Sequence, residues 1–180
     1  MSIYPPSEDS FLLSDSIKKI LPELLRKKPD LKFLEIGSGS GIQLEAAFES
    51  GVKKKNIIGS DINEEAVNHC KSLGFRCLNS DMFSKIKGKF DLIVFNPPYL
   101  PEEKYDKEID TSSGKKGDKA AISFLRNFKN HLEKNGKALL LLSSLTSMNR
   151  IDKELKKFNI EKIAAKKLFF EEIYVLELSF

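Results

Sequence analysis

The sequence predicts an α/β fold: one domain over residues 1–180, built on a seven-stranded, mostly parallel sheet with helices on both faces and a C-terminal antiparallel hairpin. Three observations predict it. Short apolar runs alternate with amphipathic stretches, the order that a parallel sheet with crossover helices requires. A glycine cluster, Gly37-Ser38-Gly39-Ser40-Gly41, follows the first such run directly. The last two runs, residues 160–168 and 173–179, are joined by too few residues to hold a helix, so they pair as a hairpin at the sheet edge.

Residues 32–37 (KFLEIG) form a short buried strand running into the glycines, and residues 42–50 continue as a helix with Leu44, Ala47 and Phe48 on one side. Residues 56–61 (NIIGSD) are the second strand. Asn63 can cap the helix behind it, Glu64 and Glu65 suit its positive first turn, and Gly74 closes it. Residues 75–79 make a third strand and residues 90–95 (FDLIVF) a fourth, apolar nearly throughout as a strand covered on both faces must be. A helix over residues 119–132 leads through Asn135-Gly136 into residues 137–142, the most apolar strand, and a short helix over residues 152–158 precedes the hairpin. Residues 102–116 form the one long polar loop, which suggests contact with a substrate.

With 41% hydrophobic residues in 180, the chain can bury a substantial core without disulfides or metals. Thirty basic against 26 acidic residues leave a net charge of +4, too small and too evenly spread to announce a nucleic-acid partner. There is no basic-then-apolar leader pattern, and the longest apolar stretch, residues 138–142, is far too short to span a bilayer. Cys70 and Cys77 lack CxxC spacing, which fits a soluble protein of the reducing cytoplasm with no membrane partner. With His69 they lack the fourth ligand and spacing of a zinc site, so no metal is expected. His131 suits a helix end, and Lys53-Lys54-Lys55 reads as a solvated loop.

In such a sheet, ligands bind beyond the carboxyl ends of the strands. Gly37, Gly39 and Gly41 lie there, where a tight turn and close ligand approach both demand the missing side chain, although Ile42 stands where a dinucleotide fingerprint has its third glycine. Asp61 ends the second strand at the distance from the glycines where an acid grips ribose hydroxyls. Asp81 follows the third strand and could accept from an adenine amino group while Met82 packs on the ring.

The most specific signal is Asn96-Pro97-Pro98-Tyr99 after the fourth strand. An amide or adenine nitrogen is a poor nucleophile because its lone pair is delocalised. The Asn96 carbonyl oxygen and the Pro97 backbone carbonyl can each accept one of its N–H groups, favouring pyramidalisation as an electrophile arrives. Pro97 and Pro98 fix the turn in advance, and Tyr99 can stack on the flat acceptor.

Together with Tyr4-Pro5-Pro6-Ser7-Glu8-Asp9-Ser10-Phe11-Leu12-Leu13, the run Leu34 to Gly41 and the Asp61-Ile62-Asn63 turn, these residues make the chain resemble a Rossmann-type methyltransferase. It is similar in particular to the HemK-type release-factor glutamine methyltransferases in their short archaeal and eukaryotic form. The opening stretch discriminates, because Asn-Pro-Pro-Tyr also occurs in adenine-N6 methyltransferases of DNA and RNA. The resemblance implies S-adenosyl-L-methionine as cofactor, a pocket lined by Ser10, Glu35, Gly37, Asp61, Asp81 and Met82, and Asn96 holding the target nitrogen. It implies as substrate the glutamine of a Gly-Gly-Gln tip in a translation release factor. It also implies a heterodimer with a small zinc-binding activator protein, and residues 75–79, expected at a sheet edge with Phe75 and Leu78, would receive that partner by strand addition.

Ser10 stands where the family usually has threonine, and Ser112-Ser113-Gly114-Lys115-Lys116-Gly117 replaces its usual glycine pair. Adenine in nucleic acid, protein lysine, and a non-catalytic cofactor-binding scaffold remain as alternatives. Against nucleic acid stands the lack of residues left over for a recognition domain.

Overall fold

The computed structural model of the protein describes residues 3–98 and 116–180. Its single sheet comprises β1 (Phe33–Ile36), β2 (Ile57–Asp61), β3 (Arg76–Asn79), β4 (Phe90–Phe95), β5 (Leu132–Ser143), β6 (Asn159–Lys167) and β7 (Glu172–Ser179), in the order β3-β2-β1-β4-β5-β7-β6. The five-strand half from β3 to β5 is parallel, and β7 runs antiparallel to both β5 and β6. Among the described residues five α-helices accompany it: α1 (Glu8–Lys27), α2 (Ile42–Glu49), α3 (Glu64–Ser72), α4 (Lys116–His131) and α5 (Met148–Leu155).

The period-two alternation of the strands divides the core into two layers. Phe33, Leu92, Val94, Leu139 and Leu141 pack on one face with Leu13, Ile17 and Leu21 of α1 and Leu44 of α2. Leu34, Ile36, Ile93, Phe95, Leu140 and Leu142 pack on the other with Phe124 and Phe128 of α4 and Ile151 and Leu155 of α5. Central strands buried on both sides explain why β4 and the end of β5 read as continuous apolar runs.

Three elements differ from the sequence expectations. The helix α1 was not expected, yet its buried Leu13, Ile17 and Leu21 recur at four-residue spacing. Pro22 sits inside it, and an interior proline costs about 3 kcal/mol. Burial of three large aliphatic side chains at about 1.5–3 kcal/mol each outweighs that penalty. The strand β5 begins at Leu132, directly after α4, so Asn135-Gly136 lies within the strand. Its register against β4 slips between Phe90 and Leu92, and a Cβ at Gly136 would stand 3.1 Å from the Asp91 carbonyl oxygen, so glycine permits that close passage. The helix α5 starts at Met148, four residues earlier than expected, because Ile151 and Leu155 form its buried face; Phe158 packs just after its end.

The hairpin is present and β3 forms one sheet edge, as expected. Phe75, expected to offer apolar surface at that edge, is 5% exposed and packs edge-on against Phe48. Phe48 is the exposed ring there, with the Lys54 ammonium over it.

Strand order reverses between β1 and β4, which opens a crevice beyond their carboxyl ends. Ile36 pairs with Phe95, so Gly37 and Asn96 leave the sheet side by side. Asp61 pairs with Asn79, which brings Asp81 to the same end.

Candidate active site

The turn after β1 is built of left-handed residues. Gly37 has φ 68° and Gly39 φ 47°, a region that costs other residues energy, and a Cβ on Gly37 would also press on the Phe95 ring at 3.4 Å. The Ser38 amide donates to the Ser60 carbonyl at 2.9 Å and the Gly39 amide to Asp61 Oδ2 at 2.9 Å. Asp61 Oδ1 accepts from the Asn63 amide at 2.8 Å. One carboxylate thus ties the end of β2 to the glycine turn, and each oxygen keeps a lone pair for a further donor.

Beyond β3, Ser80 anchors a tight turn: its hydroxyl donates to the Met82 carbonyl and accepts from the Lys85 amide at 3.0 Å. The turn holds Met82 at φ 45°, the one non-glycine residue at positive φ among the described residues. Such a conformation costs about 1–3 kcal/mol and persists where the surroundings enforce it. Met82 and Asp81 thereby line one wall of the crevice.

Asn96, directly after β4, donates from Nδ2 to Asp9 Oδ2 at 2.9 Å. Asp9 is 5% exposed, and its Oδ1 accepts from the Ser10 amide at 2.7 Å. Gln43 of α2 donates to the Ser10 carbonyl and accepts from the Ser14 hydroxyl, each at 2.9 Å, bolting α1 to the helix that follows the glycine turn. Asn96 Oδ1 is buried and has no hydrogen-bond partner among the described residues.

Glu35 occupies the middle of β1 and is 4% exposed. Burial, reinforced by Cys77 and Asp61, pushes its carboxyl well above the ordinary carboxylate range, and Oε2 is unpartnered among the described residues. Cys70 and Cys77 are free and buried beneath the glycine turn, where the Cys77 Sγ and the Ser38 hydroxyl oxygen lie 3.3 Å apart. Among the described residues, no group of three or more His, Cys, Asp or Glu side chains could hold a metal ion.

These residues enclose a cavity of about 550 Å³. Its wall includes Ser10, Glu35, Gly37, Gly39, Asp61, Asp81, Met82, Asn96, Pro97 and Pro98. Gly41 is placed otherwise: at φ 82° it starts α2 and faces Leu73 and Cys70 rather than the cavity. Tyr99 and residues 102–115 lie outside the described residues. Sequence reasoning missed Asp9 and Gln43 as site residues; the Asp9-Ser10 pair opening an amphipathic stretch was the available signal.

The cavity fits a charged nucleoside. Leaving a buried polar atom unpaired costs about 1–3 kcal/mol, and two residues of its wall carry such an atom among the described residues, Glu35 with Oε2 and Asn96 with Oδ1. Asp61 and Asp81 supply acceptors for hydroxyl and amino groups, and Met82 an apolar face. Among the described residues, no helix is long and apolar enough to cross a membrane.

The family model for the methyltransferase small domain matches residues 13–170. A Methanocaldococcus jannaschii protein assigned as a protein N5-glutamine methyltransferase is 36% identical, with the alignment covering 97% of this chain and 90% of that protein. Mouse methyltransferase HEMK2 is 34% identical over 61% of this chain and 56% of its own length. The eRF1 methyltransferase catalytic subunit mtq2 of Schizosaccharomyces pombe is 29% identical over 56% of this chain and 52% of its own. The matched stretch thus spans about half of each of these two eukaryotic relatives. Among solved structures, the Mtq2–Trm112 complex of E. cuniculi, which methylates the eRF1 translation termination factor, shares the fold with a TM-score of 0.69, at 22% identity over 99% of both chains.

Proposed function

The chain belongs to the methyltransferase small domain family, and we propose that it transfers a methyl group from S-adenosyl-L-methionine to the side-chain amide nitrogen of a protein glutamine, that of the Gly-Gly-Gln tip of a translation release factor. The observation that carries this reading is Asn96 in the cavity wall, its Nδ2 tied to Asp9 and its buried Oδ1 without a hydrogen-bond partner among the described residues. The relatives named for glutamine or release-factor methylation support the choice of acceptor.

When bound, S-adenosylmethionine supplies a methyl group activated by its sulfonium. Asp61 would hold the ribose hydroxyls, Asp81 the adenine amino group, and Met82 would cover the ring. Gly37 and Gly39 let the backbone approach where a Cβ would intrude. The target amide enters beside Asn96, whose Oδ1 accepts one N–H, while the Pro97 carbonyl accepts the other. Gripped through both hydrogens, the nitrogen gains lone-pair character toward the methyl group, and the proton it sheds on methylation passes along one of these two hydrogen bonds to water. Pro97 and Pro98 hold the turn so that little reorganisation accompanies the transfer.

A small zinc-binding protein as activator completes the reading. The strand β3 offers unpaired backbone groups at the sheet edge, and exposed Phe48 lies beside its start, a surface suited to strand addition.

Incubation with methyl-labelled S-adenosylmethionine, a release factor and RNA tests the acceptor. Label on the Gly-Gly-Gln glutamine is expected; label in RNA alone overturns the assignment. Purification from the native source followed by mass spectrometry is expected to return a small zinc protein at equal stoichiometry, and a chain recovered alone and fully active removes the activator.

A further inference from the structure

We propose that Asp9 is a positioning residue for methyl transfer: its carboxylate fixes which end of the Asn96 amide faces the target nitrogen. The inference rests on the methyl-transfer reading above and adds a residue to it.

An asparagine side chain is nearly symmetric in shape. Turned by half a revolution about its last bond, it would present NH2 where the oxygen should be, and two donors would then face each other across the target amide. Something must decide between the two orientations. Asp9 Oδ2 lies 2.9 Å from Asn96 Nδ2, and a carboxylate can only accept. The reversed amide would set two oxygens against each other at that distance, inside a wall where Asp9 is 5% exposed and water screens little. The contact therefore forces Oδ1 to the other side, where it is buried and unpartnered among the described residues.

Asp9 is itself held. Its second oxygen accepts from the Ser10 amide at 2.7 Å and the Ser10 hydroxyl at 3.3 Å, and the Ser10 carbonyl is clamped by Gln43. Orientation thus passes from the first turn of α1 to the turn after β4 through one charge-assisted hydrogen bond.

The test is to reverse the pair in the full chain with its copurified partner, assayed on the release factor. Asn96→Asp places two carboxylates together, and kcat is expected to fall about hundredfold. Asp9→Asn must lose either the Asn96 or the Ser10 bond, with kcat expected to fall about tenfold. In the double variant Asn at position 9 donates to Asp at position 96, whose free oxygen still faces the target, so kcat is expected to rise about tenfold above Asn96→Asp alone. A rise of threefold or more supports the proposal. A smaller rise, or undiminished turnover in Asn96→Asp, overturns it. Calorimetry with S-adenosylmethionine checks each fold, since all variants should bind it within about threefold of the parent.

A second readout needs no acceptor. The Asn96 side-chain NH2 protons should exchange with water about tenfold faster in Asp9→Ala, which leaves no acceptor for them at position 9. Unchanged exchange overturns the proposal even if the release factor proves not to be the substrate. A parent chain that transfers no methyl to the release factor, with exchange accelerated as expected, instead removes the acceptor assignment and leaves the Asp9 role standing.

Discussion

Asp9 and Asn96 stand 87 positions apart in sequence and meet at 2.9 Å, so the first helical turn of the chain and the loop after the fourth strand share one hydrogen bond at the cavity wall. The contact divides the site by role. On the proposed reading, residues on the β1–β2–β3 side of the cavity serve the cofactor's nucleoside, and those on the α1–β4 side serve the acceptor nitrogen.

Asn96→Ala should leave S-adenosylmethionine affinity within about threefold and cut kcat by about two orders of magnitude, the usual loss for a group that acts on the reacting centre. Single-turnover kinetics with the release factor, beside calorimetry, reads both. Equal losses in binding and turnover would place Asn96 in cofactor binding instead.

Asp61→Ala removes the acceptor for the Gly39 and Asn63 amides together with the one proposed for the ribose. Affinity for S-adenosylmethionine should drop about tenfold to hundredfold, with a smaller effect on kcat at saturation. An unchanged dissociation constant contradicts the assignment.

Glu35 gives a pH signature. The unfolded chain releases its proton around the ordinary value of 4.5, while burial makes the folded protein hold it to higher pH. The folded state therefore binds more protons between the two values, and its stability falls as pH rises through that window. Glu35→Gln escapes the penalty: its melting temperature should match the parent's near pH 4 and exceed it increasingly above about pH 4.5, until the folded carboxyl has ionised. A difference that stays constant with pH would exclude titration of Glu35 as the cause.

Gly59, in β2 beneath the glycine turn, has no room for a methyl group: its Cβ would lie 2.9 Å from Leu44 Cδ1 and 3.1 Å from Ser38 Cβ. Gly59→Ala should destabilise the protein by about 1–3 kcal/mol in urea unfolding, the range for overpacking a filled core. Displacement of Ser38 should also weaken cofactor binding.

The mostly parallel sheet and its C-terminal hairpin were legible because buried parallel strands such as β4 leave apolar runs and glycine-rich turns behind them. The walls of the cavity were legible for a related reason, since Gly37, Asp61 and Asn96 each directly follow or end a strand. The helix α1 was not, because Pro22 masks a pattern that only packing against the sheet redeems. Asp9 escaped as well: an acidic residue in the first turn of a helix is ordinarily read as favouring the dipole, and nothing local reveals a partner 87 positions away. The start of β5 at Leu132 followed from register with β4, a pairing invisible to a pattern in which Asn-Gly means a turn.

The direction of β7 separates its carboxyl end from the crevice. Because it runs opposite to β5, Phe180 emerges at the pole away from the crevice, whereas Ile3 belongs to the crevice wall. The carboxyl end of β7 therefore lies clear of incoming protein, while Ile3 and Tyr4 stand at the doorway through which a bulky acceptor would bring its side chain.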